Sequence, residues 1–225
     1  MTDRRPAMPR VAIKALFFSI WLATAAHSEG PDDSLMIYAV TISEMHDGRG
    51  WGAGIYLGDS KIITAAHVVG RAPHVTISGR ELAATILKKG SLETTDLALL
   101  SIDERGLPMS LRLRRLMLCQ ELPWPGEDVV TVSAEGTARS RIMSPAGLPR
   151  NVRKFGTVIG DVARTGNSGS GVFDLRKKCL LGIMSRKISQ VLTKPGTGKP
   201  ETRDIAKYFV PASTISAFVA DLKLQ

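Results

Sequence analysis

Cysteine is scarce in this chain of 225 residues: there are two. That excludes a small scaffold built on disulfides. No Cys/His cluster has zinc-finger spacing, so neither a metal nor another cofactor is implied. Aromatic residues make up only 5%. Internal repeats, low-complexity blocks and heptads are missing, which excludes a solenoid and a coiled coil. With 44% apolar and 23% charged residues the balance is that of an ordinary globular protein. A disordered tail, a collagen-like fibre and a multi-pass membrane protein are excluded on the same grounds. The net charge is +9. The basic clusters Arg112/Arg114/Arg115, Arg150/Arg153/Lys154 and Arg176/Lys177/Lys178 have no aromatics between them. They read as solvated faces and not as a nucleic-acid surface.

Residues 1–28 read as an export signal. Arg4, Arg5, Arg10 and Lys14 make a basic start, the stretch 15–22 is apolar, and small residues follow at 23–26. Ala23-Thr24-Ala25 has the small-x-small pattern that a signal peptidase accepts, with cleavage expected at about 25–28. The apolar stretch is too short for a comfortable permanent span, so no stable membrane insertion is expected after cleavage. The protein is expected in the periplasm or outside the cell. In such a compartment Cys119 and Cys179 either form one disulfide or remain as buried thiols. Pairing requires their α-carbons within about 7 Å.

From Leu35 onward, short β-prone runs alternate with turn residues. Residues 36–42, 61–64, 75–77, 97–100, 129–132, 157–159 and 180–184 are of this kind, punctuated by Gly and Pro. Many short strands at this spacing point to an all-β barrel or sandwich. The stretch 108–126 has the composition of a link between two halves. Ile215, Phe218, Val219 and Leu222 fall at helical spacing behind Pro211, which predicts a C-terminal helix over 211–224.

Three motifs carry chemistry. His67 ends a β-prone run, within Thr64-Ala65-Ala66-His67. Asp96 stands directly before the apolar run 97–100. Ser168 lies in Gly166-Asn167-Ser168-Gly169-Ser170-Gly171, whose glycines let backbone approach a ligand closely. Each has an ordinary alternative: a structural histidine, a capping carboxylate, a plain Gly/Ser loop. His46 and His74, in polar surroundings, read as solvated. A serine hydroxyl is a poor nucleophile until an imidazole takes its proton, and the imidazole needs a carboxylate to fix its tautomer. The chain holds one candidate for each part.

The blocks TAAH, DLALL and GNSGS resemble the signature blocks of the trypsin/chymotrypsin-like serine peptidases, over about 35–222. The form Asn-Ser-Gly-Ser followed by Val-Phe is similar to the bacterial glutamyl-endopeptidase branch. The resemblance implies an all-β fold of two antiparallel six-stranded barrels with a C-terminal helix. Within a domain at 29–225, barrel 1 would span about 35–108 and barrel 2 about 118–210. It implies His67 as general base, Asp96 as orienting carboxylate and Ser168 as nucleophile, ahead of Ser170 by motif position. The N–H groups of Gly166 and Ser168 would form the oxyanion hole. Ser185 would support Asp96 and begin the substrate-pairing strand. Cys119 and Cys179 would lie together on one side of barrel 2 and form a disulfide.

The resemblance also carries departures. Asn167 stands where the animal digestive enzymes have an aspartate that pairs with a new N-terminus, so no activation switch of that kind is expected. Val162 would lie at the base of the primary pocket, with Asp161 one residue away. Glutamyl endopeptidases place a histidine on the strand after the nucleophile, where this chain has Met184 and no histidine. Arg164, Arg186 and Lys187 would either line the cleft and favour acidic substrate side chains or form a solvated rim. A small or apolar residue before the cut bond is the expectation. Substrates would be proteins or peptides, cleaved through an acyl-enzyme. The sequence leaves the oligomeric state open. A catalytically silent protease-like binding module and an anionic-surface binder are the competing readings.

Overall fold

The computed structural model describes residues 33–44, 50–160, 167–193, 196 and 198–220. The export signal, His27 and His46 lie outside them. The first six strands are β1 (Ala39–Glu44), β2 (Gly50–Gly58), β3 (Lys61–Thr64), β4 (Pro73–Ile77), β5 (Arg80–Lys89) and β6 (Ala98–Ile102). They close an antiparallel barrel in the order β1-β2-β3-β6-β5-β4. After a short helix, α1 (Met109–Arg112), come β7 (Asp128–Ser133), β8 (Gly136–Met143) and β9 (Val158–Ile159). Then follow β10 (Gly171–Asp174), β11 (Leu180–Thr193) and β12 (Pro200–Pro211). These six close a second antiparallel barrel, β10-β11-β12-β9-β8-β7. Helix α2 (Ala212–Ala220) ends the described chain. The expected all-β, two-barrel architecture is the observed one.

Burial explains which runs looked apolar throughout and which alternated. Successive side chains of a strand face opposite sides. In β3, Ile62 enters the core of barrel 1 and Ile63 the core between the barrels. In β6, Ala98 and Leu100 face inward and Leu99 faces the other barrel. On the second barrel, Val129 and Val172 point inside while Val130 and Phe173 meet barrel 1. Strands buried on both faces therefore read as continuous apolar runs. Strand β5, half-buried at every second residue and exposed between, faces solvent on one side. Each large apolar side chain fully removed from water contributes about 1.5–3 kcal/mol. The shared layer holds the barrels edge to edge and so fixes the crevice between them.

Three local expectations change. Residues 33–38 form a 3₁₀ helix and not the start of a strand. That geometry sets residues three apart on one side, and Leu35 and Tyr38 both pack on the inter-barrel core. His74 is no solvated loop residue: it is half-buried within β4, opposite Ala83 and Ser43. The link at 108–126 is stitched to both barrels. Leu116 N–H donates to Leu57 O at 3.0 Å, and Cys119 N–H to Leu180 O at 3.0 Å. Cys119 and Cys179 form a disulfide, with α-carbons 5.1 Å apart. Helix α2 buries Ile215 and Phe218 on the inter-barrel core, while Leu222 lies outside the described residues.

Candidate active site

His67 sits in a single 3₁₀ turn, Ala66–Val68, directly after β3. Ala65 and Ala66 are fully buried. Their small side chains let the turn press against barrel 1 while the imidazole remains 32% exposed. Asp96, at the entrance of β6, is buried at 2%. Its Oδ2 lies 2.8 Å from His67 Nδ1 and its Oδ1 3.1 Å from the same nitrogen. The His67 backbone N–H also donates to Oδ1 at 3.1 Å. An ionised carboxylate only accepts, so the proton of this bond belongs to Nδ1.

A third group reaches Asp96 from the other barrel. Strand β11 pairs Met184 with Phe209 and Arg186 with Tyr208, which leaves Ser185 as a bulge. A bulged residue is excused from the ladder and can be re-aimed. The Ser185 hydroxyl, 1% exposed as a residue, donates to Asp96 Oδ2 at 2.5 Å. Burial pushes the Asp96 carboxyl up. The bonds from His67 and Ser185 outweigh that and hold it below the ordinary aspartate value.

Ser168 is held by both barrels. It occupies a tight turn closed by Ser170 N–H donating to Asn167 O at 3.1 Å. Gly169, at φ +88°, takes the third position of a type II form. A Cβ there would also stand 1.8 Å from Ala53 O, so only glycine fits. Gly169 N–H donates to Met184 O and Met184 N–H to Ser170 O, both at 2.8 Å, pinning the turn to β11. Ala53 N–H on β2 donates to Ser168 O at 2.8 Å. The Ser168 hydroxyl donates to the Ser185 carbonyl at 3.2 Å. Ser185 thus touches Asp96 through its side chain and Ser168 through its backbone. Gly52 makes the proximity tighter still: a Cβ at that residue would be 2.7 Å from Val68 Cγ1 and 2.8 Å from Ser168 O. Gly52 is thus packed between Val68, the neighbour of His67, and the Ser168 carbonyl.

Two cavities meet at Ser168. One of about 480 Å³ runs past Thr131, Met184, Ser185, Arg186, Lys187 and Lys207. The other, about 300 Å³, runs past Thr41, Gly52 and Ala53. Asn167 and Glu135 line both, and Asn167 Nδ2 donates to Glu135 Oε1 at 3.1 Å. The arrangement leaves room for a chain on both sides of the Ser168 alcohol.

The structure brings together His67, Asp96, Ser168 and Ser185, and puts Arg186 and Lys187 on the wall of the larger cavity. Val162 and Gly166 lie outside the described residues. Ser170 is fully buried behind the turn, away from the crevice role. Two features escaped the sequence reading: the bulge at Ser185 and the buried Lys207. The signal for the second was a lysine two residues from Phe209 on the inward face of a strand.

A family model of the trypsin-like peptidase domain matches residues 52–183. No protein among those of curated function matches the chain. Among solved structures, kallikrein-related peptidase 10 is similar at TM-score 0.56 and 17% identity, covering 83% of this chain and 95% of that one. The active form of the Rv3671c protease from M. tuberculosis is similar at TM-score 0.55 and 20% identity, covering 83% and 81%. The MamO protease domain from Magnetospirillum magneticum is similar at 0.53 and 19%, covering 81% and 96%. At these identities the likeness is one of fold.

Proposed function

The chain belongs to the trypsin-like peptidase family, and from that premise we propose that it is an exported serine endopeptidase acting through a Ser-His-Asp triad. The observation that carries the reading is the run of hydrogen bonds that joins His67 to Asp96 directly and Asp96 to Ser168 through Ser185.

Ser168 is the nucleophile. As substrate enters, its hydroxyl turns from the Ser185 carbonyl toward His67 Nε2, which accepts the proton as Oγ attacks the peptide carbonyl. Asp96, ionised and buried, keeps the proton of the free imidazole on Nδ1 and stabilises the imidazolium that forms. The backbone N–H groups of Gly166 and Ser168 receive the oxyanion. Collapse of the tetrahedral adduct expels the amine, which takes its proton from His67. Water, deprotonated by the same ring, then hydrolyses the acyl-enzyme. Neutral Asn167, engaged by Glu135, supports a site that needs no new charged N-terminus. The disulfide is compatible with an oxidising destination after export. Among the described residues, no helix is long and apolar enough to cross a membrane.

The test is peptide hydrolysis by wild type and by Ser168→Ala. Cleavage with a pre-steady-state burst, abolished in the variant, is expected. A folded wild-type chain that cleaves no peptide and binds peptides equally well with either residue would instead establish the binding-module reading.

A further inference from the structure

Strand β11 outlasts the barrel that it helps to close. On one side it pairs with β10 as far as Ile183, opposite Gly171, and on the other with β12. β12 stays alongside to the pair Thr193–Pro200. No other strand among the described residues takes up the first side beyond Ile183. There Met184 is engaged by the Ser168 turn: its N–H donates to Ser170 O and its carbonyl accepts from Gly169 N–H, both at 2.8 Å. The next carbonyl, that of Ser185, accepts from the Ser168 hydroxyl at 3.2 Å. An unpaired edge therefore begins beside Ser168 and runs along residues 186–193, about 26 Å of extended strand.

Beyond Ile188, which is buried, residues 189–193 and 200–204 form a two-stranded ribbon with no third strand among the described residues. A ribbon of two strands is marginal in water, and a third strand stabilises it. Open edges also invite other chains to pair, and proteins blunt them with charge or proline. β12 is blunted in this way by Pro200, Glu201, Arg203 and Asp204. Past Lys187, β11 is not: from Ile188 to Thr193 it reads Ile-Ser-Gln-Val-Leu-Thr, without charge or proline. Val191 is 66% exposed there. The base of the ribbon is fixed, since Ser189 Oγ donates to Asp204 at 2.7 Å and Lys187 Nζ reaches the same carboxylate at 3.1 Å. Two cavities, of about 480 and about 270 Å³, border the start of the edge at Arg186. Side chains of an added strand would alternate in direction, and both cavities offer them room.

We propose that residues 186–193 of β11 are a docking edge on which the part of the substrate preceding the cut bond adds as an antiparallel strand. The substrate class is then an extended or unfolded polypeptide, held mainly through its main chain for about eight residues before the cut. This deepens the endopeptidase reading and rests on it. The family resemblance implies pairing at the start of the strand, near Ser185. Residues Ile188 to Thr193 prolong that pairing beyond the crevice. Of the two edges of the ribbon, this is the one that leads to Ser168. A protein folded around its cut site has no free strand to offer and is a poor substrate.

Quenched peptides built around a bond that the wild type cuts in a peptide library, with about three or about nine residues before that bond, test the edge. The wild type is expected to cleave the long peptide at least tenfold faster in kcat/KM, mainly through KM. N-methylation of the backbone amides in the added residues keeps the side chains and removes the donors. It is expected to return the long peptide to the rate of the short one. Replacing residues 191–202 by Asn-Gly joins Gln190 to Arg203, already opposite each other, through a two-residue turn. The trimmed chain, its folding read by a melting curve, is expected to cleave the short peptide as the wild type does. It is expected to lose most of the gain from length. Equal rates on both peptides by the wild type overturn the proposal, even if the trimmed chain does not fold. So does a length effect that survives N-methylation or trimming. A wild-type dimer that becomes a monomer on trimming, with no length effect, assigns the edge to a second copy and overturns the proposal as well. A fluorophosphonate reads the chemistry separately. Ser168 labelled without a length effect sinks the docking edge alone, whereas a folded chain that is left unlabelled and cuts no peptide sinks the endopeptidase reading beneath it.

Discussion

The Ser185 hydroxyl lies 2.5 Å from Asp96 Oδ2, a bond from a bulge in the second barrel to the entrance of a strand in the first. Asp96 sits below the ordinary aspartate value of 3.8. A folded-state value below the unfolded one means that the carboxylate stabilises the fold above about pH 4 and that this contribution is lost as pH falls further. Ser185→Ala removes one of the bonds that hold the value down. The variant should lose about 1–3 kcal/mol at neutral pH. The difference from wild type should shrink as acid protonates Asp96 in both, which denaturant titrations at pH 7 and pH 3 will read.

Asp96→Asn keeps the size of the side chain and removes its charge. The amide can donate to Nδ1, which turns the imidazole to the wrong tautomer. Peptide hydrolysis should fall about 10⁴-fold with little change in KM. Steady-state kinetics at neutral pH measure it. A loss under tenfold would leave Asp96 a structural carboxylate.

Gly169→Ala should be costly for two reasons. The residue has φ +88°, and its new Cβ would strike Ala53 O at 1.8 Å. The expected loss exceeds about 1 kcal/mol, and hydrolysis should fall because the turn bearing Ser168 must move. Gly79→Ala is the comparison. It has φ +72° but nothing within 4 Å of its Cβ. Thermal melts should separate the torsional cost from the steric one.

Glu127 is 5% exposed, and burial pushes its carboxyl up. The Trp124 N–H bond opposes that, and nearby Asp174 adds to it. A raised folded-state value makes the ionised form a liability: stability falls as pH rises through the raised value. Glu127→Gln can still accept from Trp124 N–H, which donates to Oε2 at 3.0 Å. The variant should melt higher than wild type at pH 7, with the gain vanishing at pH 4.

The architecture was legible because the strands that build the crevice are buried on both faces. Runs such as Ile62-Ile63, Leu99-Leu100 and Val129-Val130 announce themselves, since one side chain enters a barrel and the next enters the layer between. The turn residues around Ser168 were legible for a local reason, the close backbone approach at Gly169. Ser185's aim was not legible, because a bulge is a property of the register between β11 and β12 and not of either segment alone. Lys207 was hidden likewise: its meeting with Lys187 depends on two strands separated by a hairpin. The 3₁₀ turn at 33–38 shows the same limit, since tertiary packing of Leu35 and Tyr38 overrode a β-prone composition.

The central claim, that His67 activates Ser168, is tested most directly by peptide mapping after fluorophosphonate treatment of wild type and His67→Ala. The account predicts a single adduct on Ser168 in the wild type and a much slower reaction at the same residue in the variant. An adduct on Ser170, equal rates in both proteins, or no adduct on a folded wild-type chain would contradict it.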